Sequence, residues 1–384
     1  MTRELSMAVA LLAIWGFFAW REPAFLSGRN LSLLSIELAI TAILALGMFL
    51  VLLPGQIDLA AGSGVGLAGA VAAVLVYFHG MPAPVALALA TAGAVAVWAG
   101  MGVLVAVERV PAFIITLGGL LVFRGLHWLV IDNQTVPIVE GGGTNAYALL
   151  TTGYLSPLAG WLLVAAACAA YTWSSLRRRA RLLRHGFDAD DAELAFLKPF
   201  VLTQGLALVA LVANGFRGIP VALVILAAVA VLVHQLAAHT PFGRYLYATG
   251  GNEAAAAVSG VPVRATVIGA YASMGLVVAL TGFMQTAYSG ASTTTVGSLM
   301  ELDAVAACVI GGTSLRGGRG TVPGVLFGAL IMASLINGMT LMAVSPEAKY
   351  VARGLVLGLA VWLDLRIGGS RQGRGTAGVD GGEW

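Results

Sequence analysis

Apolar runs separated by short polar breaks fill almost the whole chain, and these runs define its elements. A helix needs about 20 apolar residues to cross a ~30 Å hydrocarbon core. Runs of that order lie at Met7–Trp20, Leu31–Leu53, Asp58–Phe78, Val85–Val107, Ala112–Ile131, Leu158–Trp173, Phe200–Ala213, Val221–Ala238, Ala265–Tyr288, Leu299–Ile310, Val322–Val344 and Val351–Leu365. They predict about twelve spans, the shortest being candidates for re-entrant segments. The first run follows Arg3 but no small-x-small cleavage site follows it, so it is expected to be a retained helix, not a signal peptide.

One stretch breaks the pattern. Thr240–Val263, TPFGRYLYATGGNEAAAAVSGVPV, is polar where its neighbours are apolar, and it carries helix start and stop signals. Asn252 is an N-cap residue, Glu253 sets a negative charge beside the positive end of a helix dipole, and Ala254–Ala257 are strong helix formers. Gly260 is a C-terminal stop with Pro262 beyond it. The predicted helix has seven residues at 1.5 Å each, ~10 Å in all, too short to cross a bilayer.

Composition settles the class. Hydrophobic residues make up 59% of the 384 residues, charged residues 10%, and mean hydropathy is +0.91. A soluble chain of this size does not present such a surface to water, so the expected fold is all-α, a polytopic membrane protein of about 10–12 transmembrane helices. The 50 glycines have no collagen-like period and suit close helix packing. Cys168 and Cys308 lie in apolar runs and read as small buried residues.

Charge orients the spans. With the N-terminus in the cytoplasm, fifteen of the 21 Lys and Arg residues fall on the cytoplasmic side, among them Arg3, Arg109, the RRRAR run from Arg177, Arg244, Arg264, Arg316 and Arg319. Basic residues are retained on that side, so both termini and Thr240–Val263 are expected there. The loop Ser174–Pro199 reads as a solvated basic loop, Asp132–Gly153 as an irregular outer loop, and 367–384 as a disordered Gly-rich tail after a membrane domain over 1–366.

Polar residues within the apolar runs are the candidate chemistry. Asp58 follows a Pro54-Gly55 break; it is either a functional carboxylate or the cap of a helix starting at Leu59. Thr116, Gly118 and Gly119 suit packing, and Arg124 suits snorkelling. Glu301 and Asp303 begin a span and face either a pathway mouth or a helix dipole. The glycine turn Gly311–Gly320 lacks the lysine of a phosphate-binding GxxxxGK[ST] loop, so any nucleotide must be bound by another chain. Among the histidines, His234 and His239 are five apart and not on one helix face, so no metal site is expected, and no catalytic constellation is visible.

Four segments together, GQIDLAAGSGVGLAGAVAA from Gly55, VPAFIITLGGLLVFRGL from Val110, TPFGRYLYATGGNEAAAAVSGV from Thr240 and ELDAVAACVIGGTSLRGGRGTVPGVLFGALI from Glu301, resemble permease subunits of ATP-binding-cassette importers of the ribose/xylose type. The chain's length, with extra material between Asn145 and Arg217, is nearer the xylose type. Where such permeases often read GGIDLS, this chain has Gln56 and Ala60. The resemblance implies a permease for a monosaccharide, a homodimer in a bacterial inner membrane, that binds no cofactor itself. ATP would be bound by cytoplasmic ATPase subunits, and an extracytoplasmic binding protein would deliver the sugar. It also implies that loop 240–264 is the ATPase-coupling element, carried by Gly250, Gly251, Asn252, Glu253, Ala254, Ala255, Ser259 and Gly260. Glu253→Arg and Ala256→Trp are then expected to abolish ATPase association in a folded chain. Asp58, Gln56, Thr116, Glu301 and Asp303 are the translocation-path candidates. The alternative class, an ion- or proton-coupled secondary transporter, needs an intramembrane relay for which the residues offer only Asp58.

Overall fold

The computed structural model describes residues 2–139, 141, 143–187 and 191–372. Its helices are α1 (Thr2–Arg21), α2 (Gly28–Leu52), α3 (Ala61–Tyr77), α4 (Ala83–Ala106), α5 (Ala112–Val130), α6 (Leu149–Thr152), α7 (Pro157–Arg184), α8 (Ala192–Asn214), α9 (Val221–His239), α10 (Pro241–Gly251), α11 (Glu253–Val258), α12 (Val263–Ser289), α13 (Met300–Ile310), α14 (Val322–Leu341) and α15 (Pro346–Gln372). A short antiparallel pair, β1 (Val136–Pro137) with β2 (Ala291–Ser292), joins two loops at one end. Among the described helices, α6, α10 and α11 are short and lie in the connections between the longer ones.

Local signals explain many starts. Ser27, Ser156, Thr240 and Thr321 each accept the backbone N–H three residues on, and the last three are followed by proline in the first turn. Eight of the described helices are long and apolar enough to cross a membrane. Three of these, α2, α12 and α14, form the centre, with 78%, 67% and 61% of their apolar windows buried, whereas α7 and α8 expose most of theirs at the rim. The chain is a multi-span membrane protein of the all-α class.

Several loops are shorter than the apolar pattern implies. The RRRAR run belongs to α7, which continues to Arg184, and α8 begins at Ala192 with Pro199 inside it, so the basic loop shrinks to a short connection. Residues 188–190 of its acidic part lie outside the described residues. Leu, Arg and Ala are good helix formers, and the end of an apolar run is not the end of a helix. For the same reason α15 extends to Gln372, making residues 367–372 helical; 373–384 lie outside the described residues. The described residues of the loop after α5 are anchored to the rest of the chain: β1 pairs with β2, Asn145 caps the turn before α6, and the buried Tyr147 donates to the Gly69 carbonyl at 3.0 Å. In α9 the rings of His234 and His239 meet edge to face at 5.5 Å, closer than their five-residue spacing suggested.

Two crossings have shortened helices. α13 has 11 residues, ~16 Å at 1.5 Å each. α3 has 17 and starts beside Trp98, eight residues above the end of α4. Non-helical segments 53–60 and 290–299 complete these crossings, and irregular backbone at such depth is tolerated only inside protein or against a wet cavity. Glycines make the packing possible. A Cβ at Gly62 would strike the Glu301 carboxylate and the Gly297 carbonyl, and one at Gly66 would lie 2.6 Å from the Val296 carbonyl. Similarly, a Cβ at Gly282 in α12 would strike the Val65 carbonyl and lie 3.0 Å from the Gly69 nitrogen. Because backbone cannot swing aside, Gly282→Val is expected to cost ~1–3 kcal/mol by overpacking, read as a lower melting temperature in detergent.

Candidate functional site

At the end opposite the β1–β2 pair, the polar stretch folds into two helices, not one. Thr240 caps α10, which ends at Gly251; Asn252 then caps α11 by accepting from Ala255 N at 2.9 Å. α11 closes where Gly260 takes a left-handed φ of +83° and the Val261 N–H donates to the Ala256 carbonyl at 3.0 Å. The Ser259 hydroxyl donates to the Ala255 carbonyl at 2.8 Å. The helix therefore has six residues, Glu253–Val258, one fewer than the residues suggested.

The two halves of the stretch do different things. Asn252, Glu253, Ala254, Ala255, Ser259 and Gly260 are exposed, and Val258 is 91% exposed, the outermost apolar side chain of α11. Ala256 is buried at 5% and faces the bundle, so Ala256→Trp would wedge α11 off its seat and does not test docking cleanly. Gly250 belongs to α10 and is held by the bundle: a Cβ there would strike the Leu53 carbonyl and lie 2.5 Å from Gly318 N. The glycine turn seats it, with Gly318 N donating to the Leu53 carbonyl at 2.9 Å and the Tyr247 hydroxyl donating to the Gly320 carbonyl at 2.9 Å. Thus α10 is bolted to the chain where α2 ends and the break toward Asp58 begins. Beside α11, Gln56, Arg109, Glu253 and Arg264 edge an open groove of about 1080 Å³.

The path candidates do not converge on one cavity. Asp58 is fully buried, accepting from Ala60 N at 2.8 Å and from the Trp98 indole N–H at 2.6 Å. It braces the turn before α3, whose N-cap is Ala60, so the helix starts at Ala61 and not at Leu59. Thr116 is also fully buried and donates to the Ile57 carbonyl at 3.2 Å, holding the same break. Gln56 faces the groove beside α11, and Glu301 lines a small cavity of about 90 Å³ with Arg124 and His127.

Only Asp303 reaches a larger polar cavity, of about 270 Å³, toward the β1–β2 end. Four helices build its wall from residues three or four apart, the spacing that shares a helix face: Glu37 and Thr41 of α2, Gln285 and Tyr288 of α12, Met300 and Asp303 of α13, Ala333 and Ile336 of α14. Arg353 of α15 completes it, its guanidinium 3.4 Å from the Asp303 carboxylate. Glu37 is fixed from behind, accepting from the Tyr288 hydroxyl at 2.8 Å and from Asn337 Nδ2 at 3.2 Å, while Asn337 in turn accepts from Asn30 at 2.9 Å. The residue-by-residue reading missed Glu37, Gln285 and Arg353. The signal was present for Glu37 and Arg353, ionisable residues within predicted spans, which mark function by default; Gln285 sits among several threonines and gave a weaker one.

A family model described as the permease component of a branched-chain amino acid transport system matches residues 30–361. The chain belongs to that permease family. The permease is 39% identical over 360 residues to the xylose transport system permease protein of Escherichia coli (strain K12), covering 93% of this chain and 90% of the relative. It is 39% identical over 364 residues to the Haemophilus influenzae xylose transport system permease protein, with 93% and 95% covered. To the ribose import permease protein of Escherichia coli (strain K12) it is 33% identical over 361 residues, with 94% and 93% covered. No solved structure matches the permease.

Proposed function

We propose that this protein is the membrane-spanning permease subunit of an ATP-binding-cassette importer for a monosaccharide, a pentose such as xylose. The observation that carries the reading is 39% identity, maintained over 93% of the chain, to a xylose transport system permease. A polar cavity of about 270 Å³ between the central helices suits a small hydrophilic cargo. In this reading the end bearing α10, α11 and the arginine run of α7 is the cytoplasmic one and both termini are cytoplasmic in a bacterial inner membrane, an orientation supported by the asymmetry of basic residues along the sequence.

In this reading α11 docks into a groove on a cytoplasmic ATPase subunit, with Val258 as its apolar anchor, and ATP is bound by that subunit alone. An extracytoplasmic binding protein delivers sugar at the β1–β2 end, and two copies of the permease form the working unit. Closure of the ATPases moves α11; α10, locked through Gly250 to Leu53 and the glycine turn, carries the displacement to the broken segment before α3. Such a rigid chain of contacts is what alternation between outward-open and inward-open states requires.

Proteoliposomes holding the permease, the ATPase subunits and the binding protein are expected to accumulate D-xylose only with ATP. Accumulation driven by a proton or sodium gradient without the ATPase subunits would replace this reading with the secondary-transporter one.

A further inference from the structure

The cavity between α2, α12, α13, α14 and α15 is over-equipped for a passive conduit. Buried polar atoms in proteins are nearly always partnered, and each exception asks for an explanation. Two exceptions lie here: Asp303 Oδ1 and Arg353 Nε are buried without a hydrogen-bond partner, although the two side chains pair through their other atoms. Asp303 itself is 6% exposed, at the start of the half-length α13. Across the cavity Glu37 is held in one orientation by Tyr288 and Asn337. Thr41 and the Gln285 amide line the same space without a side-chain hydrogen bond to any described residue.

From these groups we infer that the permease carries its own sugar-recognition site, a neutral polyol site in which Glu37 and Asp303 accept hydroxyl protons while Arg353, Gln285 and Thr41 donate to hydroxyl oxygens. The inference rests on the importer reading and deepens it: selection does not end at the binding protein. Charge argues for a neutral ligand over an ion. The Asp303 carboxylate is already countered by Arg353, and both Glu37 oxygens are already held by neutral donors. An added cation would meet Arg353, and an added anion would meet Glu37. A polyol instead alternates donor and acceptor on every carbon and satisfies both kinds of wall group. Size agrees. The cavity's 270 Å³ equals about nine waters at ~30 Å³ each, enough for one pentose, whose heavy atoms are covalently linked and closer together than waters. Sites built to bond hydroxyls discriminate strongly against analogues lacking them, because the wall groups are then left unpaired. The Thr293 and Thr295 side chains, bonded to each other at 3.0 Å, edge the mouth on the re-entrant segment before α13.

The test is equilibrium binding of radiolabelled D-xylose to the purified full-length chain in detergent, with no binding protein present. Thr41→Val and Gln285→Leu remove free polar groups without cutting a bond in the wall, and Glu37→Gln is added as the stronger lesion. Saturable binding is expected, at least about tenfold weaker in each variant, and displaced by D-ribose more readily than by a pentose analogue lacking one ring hydroxyl. Melting curves show whether a weakened variant is still folded. No saturable binding by the unaltered chain, or binding unchanged in Thr41→Val and Gln285→Leu, overturns the site and leaves a water-filled passage. ATP-driven xylose uptake is measured on the same preparations. Its absence in the unaltered system fails the importer reading instead, whatever the binding data give.

Discussion

Val258→Glu is expected to abolish co-purification of the permease with its ATPase subunits while leaving it folded and monodisperse in detergent. Val258 is 91% exposed and ends a six-residue helix whose inward face is Ala256. Burying a valine in a partner's groove contributes ~1.5–3 kcal/mol. A carboxylate in its place adds a desolvation penalty, since a buried unpaired charge is costly. Tenfold in affinity corresponds to about 1.4 kcal/mol, so a loss of at least ten- to a hundredfold is expected, with ATP-driven uptake lost in step. Val258→Ile keeps the apolar anchor and is expected to retain association. Equal co-purification of Val258→Glu and the unaltered chain would remove α11 as the docking element.

Glu253→Arg is a less clean lesion. It places a positive charge on the first residue of α11, at the positive end of the dipole, and so weakens the helix by ~0.3–1 kcal/mol besides altering the docking surface. A six-residue helix has little propagation to offset nucleation, and it depends on its Asn252 cap and its Gly260 stop. Comparing the two variants separates loss of the helix from loss of the contact.

The α11 helix was legible because its determinants are local: an Asx cap, an alanine run, and a glycine at positive φ. α10 was not predicted, although Thr240-Pro241 is as plain a start signal. The structure uses Gly250 for close approach to Leu53 and the glycine turn, a tertiary demand that no local rule reveals. The same distinction governs the polar residues. Thr116 was recognisable as unusual, but its partner, the Ile57 carbonyl, lies 59 residues away. Glu37 was hidden among apolar neighbours whose run fitted a span, and its meaning depends on Tyr288, Asn337, Asp303 and Arg353 arriving from four other helices. Hydrophobic pattern locates crossings well. It misplaces helix ends wherever good helix formers continue past the apolar run, as in α7 and α15.

Asp58→Ala is expected to give the largest loss of stability of any single substitution at the path candidates. The carboxylate is fully buried and accepts from both Ala60 N and the Trp98 indole, so its removal leaves two donors without an acceptor. Each such group costs ~1–3 kcal/mol, giving ~2–6 kcal/mol in all. The lower part of that range is expected, because chains unfolded within a membrane also find partners for polar groups. Asp58→Asn retains one acceptor oxygen and must turn an N–H₂ toward one of the two donors, so about half the loss is expected. Trp98 packs 5.0 Å from the Phe123 ring, and Trp98→Phe keeps an aromatic ring there while removing the indole donor and part of the ring volume, a packing loss that a double-mutant cycle cancels. A double-mutant cycle on Asp58→Asn and Trp98→Phe, read by thermal denaturation in detergent, is expected to show strong coupling between the two sites. The cycle also separates the two roles that a carboxylate beside a proline–glycine break can hold. A brace lowers the melting temperature, and transport falls only as far as folding does. A pathway residue abolishes uptake at an unchanged melting temperature, and that result for Asp58→Ala would return the carboxylate to the translocation path.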